Sequence, residues 1–239
     1  MSKKLTKDAI IAHKENAIKK LNHTFEVLLS SPNPAHWKKA DLIAYWLEKY
    51  SDYLLAEDAF DYHRIPRYKR GDIILVNFGF NVGSEHGGLH YAVVLDNANK
   101  QSSPVITVIP LSSGSQEETY ERDLFLGNEL YEKLYAKYTS LVTQLQHELP
   151  DTISSQLPLD LNKCTDSLHK QQLLLHRYSK ELAKLKGGSI ALMEQITTIS
   201  KMRIYKPKSS SDLLYGIRFS NETMDKINER LKDLFFFHG

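Results

Sequence analysis

The sequence predicts an α+β protein in which helical segments flank and interrupt a small antiparallel sheet. Apolar residues recur at helical spacing in residues 5–62, short β-branched runs follow from residue 68, and helical spacing returns in residues 129–186. A chain of 239 residues with 41% hydrophobic and 25% charged residues can bury a core of ordinary size. We therefore expect a folded protein rather than a disordered or low-complexity one.

The charge and cysteine content excludes several classes of protein. A formal net charge of +2 is too small to indicate nucleic-acid binding by itself, so such a function depends on where the positive charge lies. Cys164 is the single cysteine and can form neither an intramolecular disulfide nor a cysteine-based zinc site. The sequence has no P-loop, no HExxH motif and no clustered histidines at metal-ligand spacing, so we expect no metal and no cofactor. No run approaches the roughly 18 to 20 apolar residues of a membrane helix, and we expect a cytoplasmic protein without membrane contact.

Residues 1–66 are predicted to form a helical hairpin. The apolar face of its first helix consists of Ile10, Ala17, Leu21, Phe25 and Leu28. The run 31–34 ends this pattern, and Asn33 and Pro34 suit the N-cap and first position of a second helix. The apolar face of that second helix is predicted to consist of Trp37, Leu42, Ile43, Trp46, Tyr50 and Leu54.

Short apolar runs rich in β-branched residues predict the strands of the sheet. They cover residues 73–78, 91–95 and 105–111, with a further short strand at 124–126. The loop between the first two strands, residues 79–88, contains four glycines. Glycine permits backbone conformations closed to other residues and the close approach of a ligand, so this loop is a candidate site.

Two helices are predicted in residues 129–186, where they interrupt the sheet. Their apolar faces consist of Leu130, Leu134, Tyr138, Leu141 and Leu145 in the first, and Leu168, Leu174, Leu175, Tyr178, Leu182 and Leu185 in the second. Pro150 and Pro158 are predicted to separate the two helices. A short strand is predicted at 189–192, and Ser220 is the predicted N-cap of a final amphipathic helix. The predicted domains are a hairpin of residues 1–66, a sheet domain of residues 67–128 and 187–239, and an insertion of residues 129–186.

Three separated parts of the chain carry a family resemblance. Residues 70–78 and 83–95 are similar to an opening strand, a glycine-rich loop and a second strand, and residues 105–113 to a strand ending in a PLTS motif. Residues 189–204 are similar to a segment with an acidic residue and glutamine, a Thr-Ile pair and a terminal arginine. In this order the segments resemble the MazF/PemK family of toxin ribonucleases from bacterial toxin–antitoxin pairs. The resemblance implies a small SH3-like antiparallel β-barrel, here decorated by the N-terminal hairpin, the insertion and the C-terminal helix. It also implies a homodimer held inactive by an antitoxin whose peptide segment fills the RNA groove.

The resemblance further implies a metal-independent endoribonuclease that acts on single-stranded RNA. In this reaction the ribose 2′-hydroxyl attacks the adjacent phosphate. The reaction requires a base that takes the proton of the 2′-hydroxyl, an acid that protonates the leaving 5′-oxygen, and hydrogen-bond donors or positive charge that stabilise the crowded phosphorane. By position, the family's arginine corresponds to His90 and its threonine to Ser112, which keeps a hydroxyl donor. His90 replaces a fixed charge by an imidazole whose ordinary pKa near 6.5 lets it accept and return a proton near neutrality.

Two carboxylates and several loop residues complete the predicted site. Glu85 and Glu194 match acidic positions of the family, and either one can orient His90 or serve as a base. The alternatives are that Glu85 is a solvated loop charge and that Glu194 pairs with Arg203. The residues expected to line the RNA path are Ser84, His86, Gly87, Gly88, Ser113, Gln195, Thr198 and Lys201.

The replacement of arginine by His90 leaves a second function open. In that interpretation the barrel is catalytically degenerate and binds nucleic acid or a protein as a regulatory module. A structural role for His90, hydrogen-bonded to backbone at the end of the loop, is a further alternative. The basic run 63–70 ahead of the sheet either follows RNA phosphates or is a solvated linker.

Overall fold

The structure, a computed structural model, describes residues 6–155 and 161–236. The chain forms two compact units, Met1–Asp58 and Ala59–Gly239. It combines helices with an antiparallel sheet, which confirms the predicted α+β class. Within the described ranges, no helix has both the length and the apolar character that crossing a membrane requires.

The N-terminal unit is a pair of helices, α1 (Lys7–Ser30) and α2 (Pro34–Ala56), which lie against each other. The Asn33 side chain accepts a hydrogen bond from the Ala35 backbone N–H at 3.0 Å, so the predicted N-cap of α2 is confirmed. Ala40 is the one buried residue among those described in these two helices. The unit therefore has almost no core of its own.

In the described part of the chain the sheet has seven strands, and every pairing is antiparallel. The strands are β1 (Ile73–Asn77), β2 (Leu89–Val94), β3 (Val105–Ser113), β4 (Leu124–Phe125), β5 (Ser189–Ala191), β6 (Thr197–Ser200) and β7 (Ile204–Lys206). Their order is β4-β5-β3-β2-β1-β7, and β6 pairs with β3. Among the described residues the sheet is not closed between β4 and β7, so the predicted closure into an SH3-like barrel is not observed.

The long strand β3 joins the parts of the sheet that precede and follow residues 129–186. Its first half pairs with β6, from Val105 opposite Ser200 onward, and its last three residues pair with β5. The chain enters and leaves the intervening helices at one place, because Leu126 N–H donates to the Ser189 carbonyl at 2.8 Å and Ser189 N–H to the Gly127 carbonyl at 3.0 Å. The sheet thus combines strands from both sides of the helical segment.

Three helices belong to the second unit: α3 (Glu129–Ser155), α4 (Leu161–Leu185) and α5 (Asn221–Phe235). The predicted helix end at Pro150 is wrong, because α3 continues to Ser155. The helix thus tolerates the loss of one backbone N–H donor at the proline. The predicted N-cap of α5 is confirmed, since the Ser220 hydroxyl accepts from the Thr223 N–H at 3.2 Å. Pro158 lies outside the described residues, as do the side chains of Leu145, Leu168 and Leu174.

Alternate residues of a strand point to opposite faces of the sheet, and both faces are buried in apolar clusters. One face packs with residues of α3, α4 and α5 in a cluster that includes Ile73, Val93, Ile109, Leu130, Leu134, Tyr178, Leu182, Leu185 and Ile227. The other face forms a second cluster, which includes Tyr68, Ile74, Val76, Phe78, Ala92, Val94, Ile106, Val108, Ile199 and Ile204. Residues of α3, α4 and α5 thus cover one side of the sheet.

Candidate functional site

The loop between β1 and β2 is closed by its glycines. Gly88 N–H donates to the Gly79 carbonyl and Phe78 N–H to the Gly88 carbonyl, both at 2.7 Å. A Cβ atom at Gly87 would lie 2.8 Å from the Gly79 carbonyl oxygen, and Gly88 has a φ of +86°, a conformation that L-residues rarely adopt. Glycine at these positions therefore lets the loop return directly into β2, with His86 and His90 on either side of the pair.

Gln195 fixes the loop from outside. Its Oε1 accepts from the His86 backbone N–H at 3.1 Å, and its Nε2 donates to the Ser84 carbonyl at 3.3 Å. Asn81 adds a hydrogen bond from its Nδ2 to the His86 carbonyl at 2.7 Å. Gln195, predicted to contact RNA, thus uses both ends of its amide to position the loop.

The two histidines of the loop contact each other. The ring centroids of His86 and His90 are 4.1 Å apart, and His86 also packs edge-on against Phe78 at 5.4 Å. Burial, with a smaller contribution from His90, lowers the pKa of His86 to about 4. Burial also lowers the pKa of His90, against the opposing effect of a hydrogen bond to the backbone of Leu111. Both imidazoles are therefore mainly neutral at pH 7.

A cavity of about 670 Å³, which we call the His90 cavity, lies beside β2 and β3. His90, Ser112 and Ser113 are part of its lining. Ala92 pairs with Pro110, and His90 and Ser112 lie two residues beyond this pair on the two neighbouring strands. The structure thus brings together the two residues predicted to act on the phosphate.

A second cavity of about 360 Å³, the Glu85 cavity, lies on the other side of the loop. Its lining includes Glu85, His86, Glu194, Gln195 and Arg203. The four predicted catalytic residues therefore divide between two cavities, with the two carboxylates apart from His90. The His86–His90 contact is the link between the two, because each ring lines a different cavity.

The two carboxylates have partners that the sequence did not indicate. Glu194 forms an ion pair with Arg122, with 2.9 Å between Oε1 and Nη1. The Oε2 of Glu85 accepts from the Val82 N–H at 3.3 Å within the loop. Arg203, the alternative partner considered for Glu194, donates from Nε to the Asn77 carbonyl at 2.9 Å and from Nη2 to the Phe78 carbonyl. That arginine supports the start of the same loop.

The remaining predicted RNA contacts differ in their exposure. Ser84 and Gly88 are exposed on the loop. Thr198 faces solvent on β6, with its hydroxyl 3.2 Å from that of Thr107 on β3. Lys201 is only 1% exposed, and its ammonium group donates to the carbonyls of Lys100 at 2.8 Å and Gln101 at 3.3 Å. As far as the chain is described, neither Thr198 nor Lys201 lines either cavity, and Lys201 stabilises a turn instead.

Sequence reasoning assigned no residue of α4 to the site, although this helix contributes a wall to the His90 cavity. Tyr178, Glu181, Lys184 and Leu185 of α4 line this cavity, together with Lys206 of β7. Tyr91 of β2 donates from its hydroxyl to Oε2 of Glu181 at 3.2 Å, which joins the helix to the strand. The helical spacing of Tyr178, Leu182 and Leu185 predicts an apolar face, but no local signal tells which strand such a face covers.

Comparisons with known proteins address the family of the sheet domain. No curated protein sequence matches the chain. A family model does match, over a range that begins just before β1 and ends within α3, which is less than half of the chain. Residues 69–154 match the family described as PemK-like, MazF-like toxin of type II toxin-antitoxin system, which confirms the family resemblance that the sequence predicts.

Proposed function

We propose that the protein is a toxin-like endoribonuclease that cleaves single-stranded RNA in the His90 cavity. One observation carries the proposal: His90 and Ser112, on neighbouring strands, line the same cavity. Its volume of about 670 Å³ falls in the range of small-ligand sites and is ample for a nucleotide. The match of residues 69–154 to a toxin family supports the same activity.

His90 is the proposed general base. Its lowered pKa keeps the ring neutral, and the hydrogen bond to the Leu111 backbone uses one ring nitrogen as donor and leaves the other as acceptor. That acceptor takes the proton of the 2′-hydroxyl, the 2′-oxygen bonds to phosphorus, and the bond from phosphorus to the 5′-oxygen breaks. The same proton then passes to the 5′-oxygen. The products are a 2′,3′-cyclic phosphate and a 5′-hydroxyl end.

Ser112 is the proposed donor to the phosphorane. Its hydroxyl is 3.4 Å from the Ser113 carbonyl, a weak hydrogen bond that a phosphate oxygen can replace. Glu85 and Glu194 line the other cavity, so we assign no proton transfer to either of them. Glu85 instead stabilises the loop through Val82, and Glu194 pairs with Arg122. Because the two carboxylates line the other cavity, the proposed proton transfer depends on His90.

Cleavage is tested with a long single-stranded RNA in the presence of EDTA, with identification of the fragment ends. We expect defined cuts that leave 2′,3′-cyclic phosphate and 5′-hydroxyl ends. His90→Gln removes the base and should slow cleavage by about 10²- to 10⁴-fold. His23→Gln is the matched control, because His23 is exposed on α1 and outside the site. Equal rates for the His90 variant and the wild-type protein would refute the assignment.

A binding module without cleavage is the second candidate. It is favoured by the lowered pKa values of His86 and His90, because mainly neutral rings provide little positive charge to stabilise the phosphorane that cleavage requires. It is favoured also by the separation of Glu85 and Glu194 from His90. In the same experiment this function gives intact RNA at micromolar protein, together with a salt-dependent affinity for RNA.

The family match also supports two partners. We propose a homodimer that acts in the cytoplasm, and an antitoxin whose peptide segment occupies the His90 cavity. Light scattering of the purified protein measures the mass directly, and the mass of a single chain of 27.5 kDa at micromolar concentration would argue against the dimer.

A further inference from the structure

The His90 cavity contains positive charge that does not come from the loop. Its charged lining consists of Lys184 and Lys206 with one carboxylate, Glu181. The Glu85 cavity has the opposite balance, with Glu85 and Glu194 against Arg203. A polyanion is therefore attracted to the His90 cavity and not to its neighbour.

Each of the two lysines contacts another residue of the lining of this cavity. The Nζ of Lys184 is 2.9 Å from Oε1 of Glu181, whose Oε2 accepts from Tyr91. The side chain of Lys184 is 66% exposed, so it can move from the carboxylate to a ligand at little cost. The Nζ of Lys206 lies 5.5 Å from the ring centroid of Tyr178, which also lines the cavity.

Helix α4 forms a fixed wall of the cavity and does not fill it. Tyr178, Leu182 and Leu185 are 5%, 6% and 2% exposed, and they pack in the cluster that covers the sheet. The cavity beside them keeps its volume of about 670 Å³, with His90 and Ser112 in the lining. The helix is thus held where Glu181 and Lys184 line the same cavity as His90 and Ser112.

We propose that Lys184 and Lys206 bind the RNA phosphates that flank the cleaved bond, so that α4 is part of the substrate-binding surface. The proposal rests on the proposed function, since it assigns the cationic contacts of that same site. Lys184 of α4 and Lys206 of β7 provide the positive charge that the neutral imidazole of His90 does not provide. A lysine that neutralises a phosphate of a single strand releases counterions and contributes roughly 0.7 to the slope of log affinity against log salt.

The test measures the affinity of a 2′-O-methyl RNA, which lacks the attacking hydroxyl, by fluorescence anisotropy at several salt concentrations. Lys184→Gln and Lys206→Gln should each weaken binding several-fold and each reduce the salt slope by roughly 0.7. Lys180→Gln is the matched control: it removes the same charge from the same helix at an exposed position outside the lining of the cavity. Its affinity and slope should equal those of the wild-type protein.

The outcomes separate this inference from the proposed function. If the wild-type protein cleaves or binds RNA and all three lysine variants behave alike, the inference is wrong and the proposed function stands. If Lys184→Gln cleaves unmodified RNA faster than the wild-type protein, α4 restrains the site and does not bind substrate, which also overturns the inference. If the wild-type protein neither cleaves nor binds RNA, both proposals fail.

Discussion

His90 lies where the family resemblance implies an arginine, and an imidazole exchanges a proton where a guanidinium cannot. Its environment favours the neutral form, since burial lowers its pKa and the neighbouring ring of His86 is itself neutral at pH 7. A neutral ring is a poor phosphate ligand and a competent base. In the proposed function, His90 therefore contributes proton transfer rather than electrostatic attraction.

The pH dependence of cleavage tests this role. A base must be unprotonated, so kcat/KM should be constant above the pKa of His90 in the free protein and should fall below it. Because that pKa is lowered from 6.5, the acid limb should have its midpoint below pH 6.5. The measurement is kcat/KM for a short oligonucleotide between pH 4 and 8. A midpoint above 6.5 would contradict the lowered pKa of His90. A rate that rises on acidification would mean that His90 acts in its protonated form.

The glycine-rich loop is the element that aligns the two histidines. The backbone hydrogen bonds between Gly79 and Gly88 and between Phe78 and Gly88 close it, and Gln195 holds its tip. A Cβ atom at Gly88 would come within 3.5 Å of the His90 ring, so the loop backbone itself is one wall of the imidazole site. Small changes in the loop should therefore be transmitted to His90.

Gly87→Ala should displace the loop. The added Cβ meets the Gly79 carbonyl at 2.8 Å, and that carbonyl also accepts from Gly88 N–H, so backbone atoms must shift. We expect the free energy of unfolding to fall by about 2 kcal/mol and cleavage to slow by about tenfold or more. Urea unfolding and the RNA assay measure the two effects.

Gly83→Ala is the control for this loop variant. Gly83 has a φ of +64° but open space around it, so only a conformational cost of about 1 kcal/mol applies. Its cleavage rate should stay close to that of the wild-type protein. Equal losses of cleavage in the two variants would show that the contact with Gly79 does not control His90.

At the scale of the whole molecule, the unit Ala59–Gly239 contains both buried clusters and both cavities. Residues 6–58, the described part of the other unit, contribute to neither cluster. We therefore expect a chain of residues 59–239 to unfold cooperatively in urea and to cleave RNA at the rate of the full chain. Loss of the cooperative transition in this shorter chain would mean that the hairpin is required for folding.

Local sequence signals predicted the elements well and their assembly poorly. Asn33, Pro34 and Ser220 mark helix starts because capping involves residues within one turn. The family motifs singled out His90 and Ser112, and the structure places them on adjacent strands. The residues that α4 contributes to the cavity were not predictable, since they depend on the packing of Leu182 and Leu185 against residues far away in the chain. The partners of Glu194 and Lys201 were missed for the same reason, because Arg122 and the carbonyl of Lys100 are distant in sequence.

The meeting of the chain at Leu126, Gly127 and Ser189 has a consequence for the order of folding. Strand β3 must find β5 and β6 across a long stretch of chain, and bringing such distant segments together carries an entropic penalty that grows with loop length. Helices α3 and α4 lie against each other, so we expect their pairing to form first and to bring Leu126 and Ser189 together before the sheet is complete.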